Sequence, residues 1–184
     1  MNKIIAIVGM SGAGKSTARE YFEGIGCKNV YFGGITFDVM NKKGIEINPE
    51  NERTTRENIR KEYGMGAYAI LSLPKIEEYL KEGNVVIDDL YSWDELKILQ
   101  EKYENNIISL CIVADRKIRY DRLEKRQIRP FTNEQAMTRD ITQIENLAQG
   151  GPIAYADYYI VNNSSLEEYK EKLNEVKDKI FKEE

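Results

Sequence analysis

The chain has 184 residues, 41% of them hydrophobic and 32% charged, with a formal net charge of −4. That length suits one α/β domain with a real core, and that balance excludes disorder and gives no global footprint for extended nucleic acid or an anionic membrane. There is no histidine, which excludes imidazole metal ligands, His-based triads and His phosphoenzymes.

No run approaches the ~18–20 apolar residues of a membrane span. The first residues lead into a strand-like run without a signal-peptide pattern. Cys27 and Cys111 each lie among apolar residues, as buried free thiols do, so a reducing, cytoplasmic setting is expected.

Residues 3–8 (KIIAIV) are a β-branched apolar run that suits a buried central strand. Gly9, Met10, Ser11, Gly12, Ala13, Gly14, Lys15 and Ser16 follow as a complete G-x-x-x-x-G-K-[ST] phosphate loop, and Ser16 to Phe22 opens a helix. Strand, loop and helix in that order are the context the motif requires. Glycines let the backbone curl so that amides point inward at a polyphosphate, at the positive end of the helix. Lys15 adds a charge for the β- and γ-phosphates, and the Ser16 hydroxyl can ligate Mg²⁺. A nucleoside triphosphate site is expected here.

A second strand is predicted at Asn29–Phe32. A long helical insertion follows, about Thr36 to Lys81, broken by Gly44 with Asn48 and Pro49, by Gly64 to Gly66, and kinked at Pro74. Val85 to Ile87 is a third strand, followed by Asp88 and Asp89; Ser92 to Tyr103 is helical; Ile107 to Val113 is a fourth strand. A basic helix is predicted over Asp115 to Gln127, an irregular stretch to Thr132, and a helix over Asn133 to Ala148 that Gly150, Gly151 and Pro152 break. Tyr158 to Val161 is the fifth strand, and Ser164 and Ser165, each three residues before a Glu, offer capping boxes for a last helix. Strands alternating with helices imply a parallel sheet covered on both faces, with ligands at the carboxyl ends of its strands.

Those ends supply the candidate residues. Asp88, just past three apolar β-formers, can hold a magnesium-bound water or orient an attacking hydroxyl; Asp89 is the alternative carboxylate. Seven Lys or Arg against two acids lie between Arg116 and Arg129, and Arg119, Arg122 and Arg126 share one helix face. Convergent arginines stabilise the charge that phosphoryl transfer spreads over equatorial oxygens, and Arg126–Thr132 suits a mobile lid.

These residues resemble those of P-loop kinases of the nucleoside monophosphate kinase type, the group with adenylate, deoxynucleotide and dephospho-coenzyme A kinases, and most closely an adenylate-kinase-related family. The resemblance runs through Gly9–Thr17, Asn48–Asn51, Arg60–Gly64, Pro74–Ile76, Val85–Asp88, Val113 and Ala114 with the arginine column, and Ala156–Asn162. It implies a three-layer α/β fold with a five-stranded parallel sheet in the order 2-3-1-4-5. The single domain would comprise a core of 1–35 and 83–184, a helical acceptor-binding insertion of about 36–82, and a short lid of about 126–132. ATP and Mg²⁺ would be bound, with Lys15, Asp88, Arg122 and Arg126 catalytic, Ser16 and Asp88 at the metal, and Gly9–Thr17, Arg122 and Asn162 on the nucleotide, Asn162 and Asn163 near its base.

On the acceptor side the chain departs from the pattern. Phe37, next to Asp38, and Tyr91 stand where similar kinases carry arginines, and Arg56 and Arg60, four apart on one helix face, could supply replacement charge together with Arg53. The resemblance implies transfer of the γ-phosphoryl of ATP to a small phosphorylated acceptor, a nucleoside or deoxynucleoside monophosphate first. A dephospho-coenzyme A-like acceptor, or a nucleotide-dependent switch or ATPase acting on a protein partner, is the alternative. A monomer or homodimer with no membrane partner is expected.

Overall fold

The computed structural model describes residues 2–182. Among them, five strands form one parallel sheet in the order β2-β3-β1-β4-β5: β1 (Ile4–Val8), β2 (Lys28–Tyr31), β3 (Val85–Asp88), β4 (Ile107–Val113) and β5 (Tyr158–Val161). The expected order and class hold. β1 is central and buried along its whole length. Its alternating side chains feed two cores. Ile4, Ala6 and Val8 pack with Phe32, Ile76, Leu90, Leu96 and Leu99 on one face of the sheet. Ile5 and Ile7 pack with Ala18, Phe22, Tyr169, Leu173 and Ile180 on the other. Each such side chain contributes roughly 1.5–3 kcal/mol by leaving water, and burial on both faces is why these strands read as continuous apolar runs.

The first face is covered by α2 (Gly34–Lys43), α3 (Pro49–Tyr63), α4 (Ala67–Leu80) and α5 (Trp93–Tyr103); the second by α1 (Lys15–Gly24) and α9 (Leu166–Lys182). Local chemistry sets the boundaries. Asn48 caps α3 by accepting from the Asn51 amide at 2.9 Å, with Pro49 in its first turn. α2 stops at Gly44, which takes the left-handed conformation at φ 64°. Ser92 and Glu95 form a reciprocal capping box on α5.

The insertion is three helices separated at the two expected glycine-bearing turns, with Pro74 inside α4. Several boundaries differ from the sequence reading. The basic helix α6 is shorter than expected (Arg116–Glu124), and α7 (Asn133–Glu145), capped by a Thr132–Gln135 box, ends before Ala148. Gly150, Gly151 and Pro152 begin a short helix, α8 (Gly150–Ala154), rather than only ending one. Proline is tolerated in a first helical turn because its missing N–H would lack an intrahelical partner there anyway. Gly151 is required at this point, since a Cβ would come within 2.9 Å of the Trp93 side chain.

Parallel pairing sets Ala6 level with both Ile87 and Ser109. The loop after β1 and the carboxylates after β3 therefore emerge side by side at the carboxyl edge of the sheet.

Candidate active site

A cleft of 660 Å³ opens at that edge. Its floor is the phosphate loop, with Ser11, Gly12, Gly14, Lys15 and Ser16 on its wall. The loop's carbonyls are turned outward and tied to the scaffold. Gln149 donates to the Gly9 oxygen at 3.0 Å, Arg119 to Ser11 at 2.9 Å, Asn162 to Ala13 at 2.8 Å and Tyr169 to Gly14 at 3.0 Å. With these carbonyls engaged, and the Ser11 and Ala13 amides bonded to Gln143 and the Met10 carbonyl, the remaining loop amides are the ones an anion could take. At Gly12 (φ 79°) and Gly14 (φ 108°) the curl needs left-handed backbone, and a Cβ would collide with the Arg119 carbonyl or the Asn162 amide. Ala13 and Gly9 form the buried support of this floor and Thr17 stands in the first turn of α1.

The scaffold behind the loop was not legible in the sequence. Arg119, expected in a phosphate-facing column, is buried and forks onto Asp140 of α7 at 2.9 and 2.6 Å. Gln143, one turn on, accepts from the Ser11 amide and hydroxyl at 3.4 and 3.2 Å. Asn162, expected near the base, is buried against the loop, where its amide donates to the Ala13 carbonyl and its oxygen accepts from Arg122 at 3.4 Å. The signal available was a polar pair, Asp140 and Gln143, three apart on one helix; its helical spacing alone does not distinguish a buried face from a solvated one.

Across the loop stand the acids. Burial, and then the neighbouring Asp89, push the Asp88 carboxyl up to about 6. Asp88 accepts from the Asp89 amide at 2.9 Å and faces Arg19 at 3.6 Å. Burial lowers the pKa of Lys15, while Asp89 and Asp88 oppose that shift. The Lys15 ammonium lies 3.4 Å from the Met10 carbonyl and 5.9 Å from the Tyr91 ring centre. Arg139 of α7, missed by the sequence reading, reaches the same ring at 5.9 Å.

At the far end of the cleft, Phe37, Arg56 and Arg60 line the wall with Tyr31, Thr36 and Tyr68. Asp38, expected with them, faces solvent on α2, because one helical step rotates it about 100° from Phe37. Arg56 is paired with the buried Glu52 at 3.5 Å, and Arg129, from the irregular segment between α6 and α7, reaches the same carboxylate at 3.1 Å. Arg60 lies over the Tyr68 ring at 5.0 Å. Arg122 and Arg126 line the cleft from the other side, Arg126 exposed at the start of that irregular segment.

The donor set suits polyphosphate. Buried Arg19 Nε, Arg60 Nε and an Arg122 Nη lack hydrogen-bond partners, and an unsatisfied buried donor costs about 1–3 kcal/mol. Phosphate oxygens would satisfy them. Among the described residues no group of three or more His, Cys, Asp or Glu side chains is set to hold an ion. Ser16 and Asp88 both line the cleft and offer two oxygen donors, a set that would suit Mg²⁺, which keeps several waters and shares the phosphates. Bound there, the metal would neutralise developing phosphate charge.

Glu95 gives this cleft a pH dependence. It is 1% exposed, accepts from the Tyr91 and Ser92 amides at 2.9 Å each, and burial still pushes its carboxyl up to about 7 from 4.5. A raised pKa means the folded state prefers the protonated acid. Its stabilisation is complete below the unfolded value and is lost as pH rises through 7, up to roughly 3 kcal/mol. Glu95→Gln keeps the capping acceptor without the charge. It is expected to unfold at higher urea than the parent at pH 8 and at nearly the same urea at pH 4.5, measured on the unliganded protein.

A family model described as an AAA domain matches residues 5–143. The UPF0200 protein of Thermococcus kodakarensis is 35% identical over 182 residues, covering 97% of this chain and 98% of that one. The UPF0200 protein of Sulfurisphaera tokodaii is also 35% identical, over 183 residues, covering 97% and 98%. Among solved structures, a dephospho-CoA kinase from Campylobacter jejuni superposes with a TM-score of 0.59 at 16% identity, covering 98% of each chain. A shikimate kinase from Bacteroides thetaiotaomicron gives 0.58 at 14%, covering 96% and 98%. At such identities the structural likeness speaks for the fold alone. Full-length identity to the archaeal proteins speaks for more: this chain belongs to the UPF0200 family, with an AAA domain on a P-loop kinase-like fold.

Proposed function

We propose that this protein is an ATP- and Mg²⁺-dependent phosphotransferase that moves the γ-phosphoryl group to a small phosphorylated acceptor. One observation carries the reading: a single cleft gathers cations from three parts of the chain. The phosphate loop with Lys15, Arg56 and Arg60 of the inserted helices, and Arg122, Arg126 and Arg139 all line it. A donor polyphosphate on the phosphate loop and an anionic acceptor on Arg56 and Arg60 would meet over the remaining arginines, where transfer spreads charge over equatorial oxygens. In this reading 126–132 is the lid, 36–82 the acceptor-binding insertion and the remainder the core. Ser16 and Asp88 hold the metal with its waters, and Lys15 holds the β- and γ-phosphates. Arg129 and Glu52 tie the lid to α3, so an anionic acceptor would exchange with Glu52 for Arg56 and Arg129.

The test is γ-labelled ATP with a panel of nucleoside and deoxynucleoside monophosphates, dephospho-coenzyme A, and no acceptor, followed by product identification. With a productive acceptor in hand, Arg126→Lys discriminates transfer from switching. Lysine keeps the charge but loses the planar fork that matches two phosphate oxygens. Acceptor phosphorylation is expected to fall at least about tenfold, equivalent to roughly 1.4 kcal/mol of transition-state stabilisation. A nucleotide switch would show no such loss, and unchanged transfer in Arg126→Lys would remove the lid from the mechanism.

A further inference from the structure

We propose that the atom receiving the phosphoryl group is a hydroxyl oxygen, that Asp89 takes its proton, and that the Tyr91 hydroxyl occupies this position in the ligand-free protein. The inference rests on the phosphotransfer reading above and narrows its acceptor.

The two carboxylates after β3 have different surroundings. One oxygen of Asp88 is engaged by the Asp89 amide at 2.9 Å and the other faces Arg19 at 3.6 Å. Asp89 instead receives a hydroxyl: Tyr91 donates to its Oδ1 at 2.6 Å. That is the short separation of an O–H donor on an ionised carboxylate, and it falls within the reach a general base needs toward the proton it removes. Asp89 stands at φ 65°, in the left-handed region that Asp and Asn adopt more readily than other side-chain-bearing residues. The position is also beside the phosphate end of the cleft. Lys15 and Arg139 each lie 5.9 Å from the centre of the Tyr91 ring, and Asp89 is the strongest of the acids acting on Lys15.

A phosphate-oxygen acceptor is already anionic at neutral pH. It has no proton to surrender, and a free carboxylate beside it would repel it. A hydroxyl acceptor has the opposite requirement, and a positioned base typically contributes 10²–10⁴-fold to its attack. In the step inferred, the acceptor oxygen bonds to the γ-phosphorus as the bond from that phosphorus to the β,γ-bridging oxygen breaks. The electron pair leaves on ADP, the hydroxyl proton passes to Asp89, and the product is a phosphomonoester. Arg56 and Arg60 then hold the acceptor's own anionic group at a distance from the reacting oxygen. Displacing Tyr91 exchanges one hydroxyl on Asp89 for another.

The experiment combines Mg²⁺ and ATP, in separate reactions, with adenosine 5′-monophosphate, dephospho-coenzyme A, glycerol 3-phosphate, and water alone. Adenosine 5′-monophosphate and glycerol 3-phosphate each carry a terminal phosphate and hydroxyls, whereas dephospho-coenzyme A offers hydroxyls alone, so phosphorus NMR of the product reports which atom received the group. The expected product is a phosphomonoester without a new anhydride. Asp89→Asn retains the left-handed backbone, which asparagine tolerates. It is expected to lower ester formation about a hundredfold while leaving the melting temperature near that of the parent. Tyr91→Phe keeps the ring near Lys15 and Arg139 and removes the 2.6 Å hydroxyl contact on Asp89, leaving the Tyr31 hydroxyl as its other hydroxyl partner, and should raise hydrolysis with water alone several-fold. A phosphoanhydride product overturns the inference and leaves the phosphotransfer reading standing. Ester formation indifferent to Asp89→Asn overturns the role of Asp89. Absence of transfer to all three compounds overturns the phosphotransfer reading and this inference with it.

Discussion

Lys15→Ala is expected to abolish phosphoryl transfer, lowering turnover by at least about a hundredfold, while the protein remains folded. Lys15 is the cation within the phosphate loop, and its loss removes a charge-assisted contact worth roughly 1.5–3 kcal/mol in nucleotide binding and more where charge develops in the transition state. ATP affinity measured by calorimetry should therefore fall about 10- to 150-fold. The unliganded protein should melt close to the parent. Burial disfavours the Lys15 charge, whereas Asp89 and Asp88 favour it, so its removal touches two terms of opposite sign. Wild-type turnover and affinity in Lys15→Ala would make the loop structural and defeat the functional reading.

Arg119→Ala is expected to be the most destabilising single change at the site, lowering unfolding free energy by about 3–5 kcal/mol in urea titration. Both members of the Arg119–Asp140 pair are nearly buried, at 6% and 7% exposure, and the guanidinium makes a two-pronged contact while also holding the Ser11 carbonyl. Removing one partner strands the other charge in a poorly solvated place. The double change Arg119→Met with Asp140→Leu should regain most of that stability, since apolar packing replaces a buried ion pair with little net loss. It should not regain nucleotide affinity, because the Ser11 carbonyl still lacks its donor. If Arg119→Ala were no less stable than a surface substitution, the pair would not be anchoring α6, α7 and the loop to one another. If the double variant bound nucleotide normally, the loop would not depend on Arg119 for its shape.

The Arg119–Asp140 contact is one of several that fix the loop from outside. Gln143 and Gln149 approach the loop from α7 and the chain just beyond it, and Asn162 and Tyr169 from β5 and α9. Residues far apart in sequence thus converge on the loop, Gln143 on the Ser11 amide and the others on the Gly9, Ala13 and Gly14 carbonyls. Changes in the C-terminal third should consequently appear as nucleotide-binding defects without touching a nucleotide.

The amino-acid sequence by itself determined the elements whose cause is local. The phosphate loop is such a case, because its glycines, Lys15 and Ser16 act through backbone freedom and charge carried within eight residues. The parallel sheet follows too, since β1, β3 and β4 read as apolar runs of strand length between helices, and Asp88 and Asp89 were legible because they directly follow one of them. Tertiary structure alone decided which polar side chains work as scaffold. On α7, Met137, Ile141 and Ile144 are exposed while Ala136, Asp140 and Gln143 are buried, the reverse of what hydrophobic spacing suggests. The reason is that the surface beneath this helix is polar backbone: loop carbonyls and amides demand hydrogen-bond partners, which an apolar side chain cannot supply. The same demand binds Arg119 and Asn162 to the Ser11 and Ala13 carbonyls. Sequence spacing placed Arg119, Arg122 and Arg126 in one column, but only long-range packing distinguished the arginine that holds the loop from those that line the cleft.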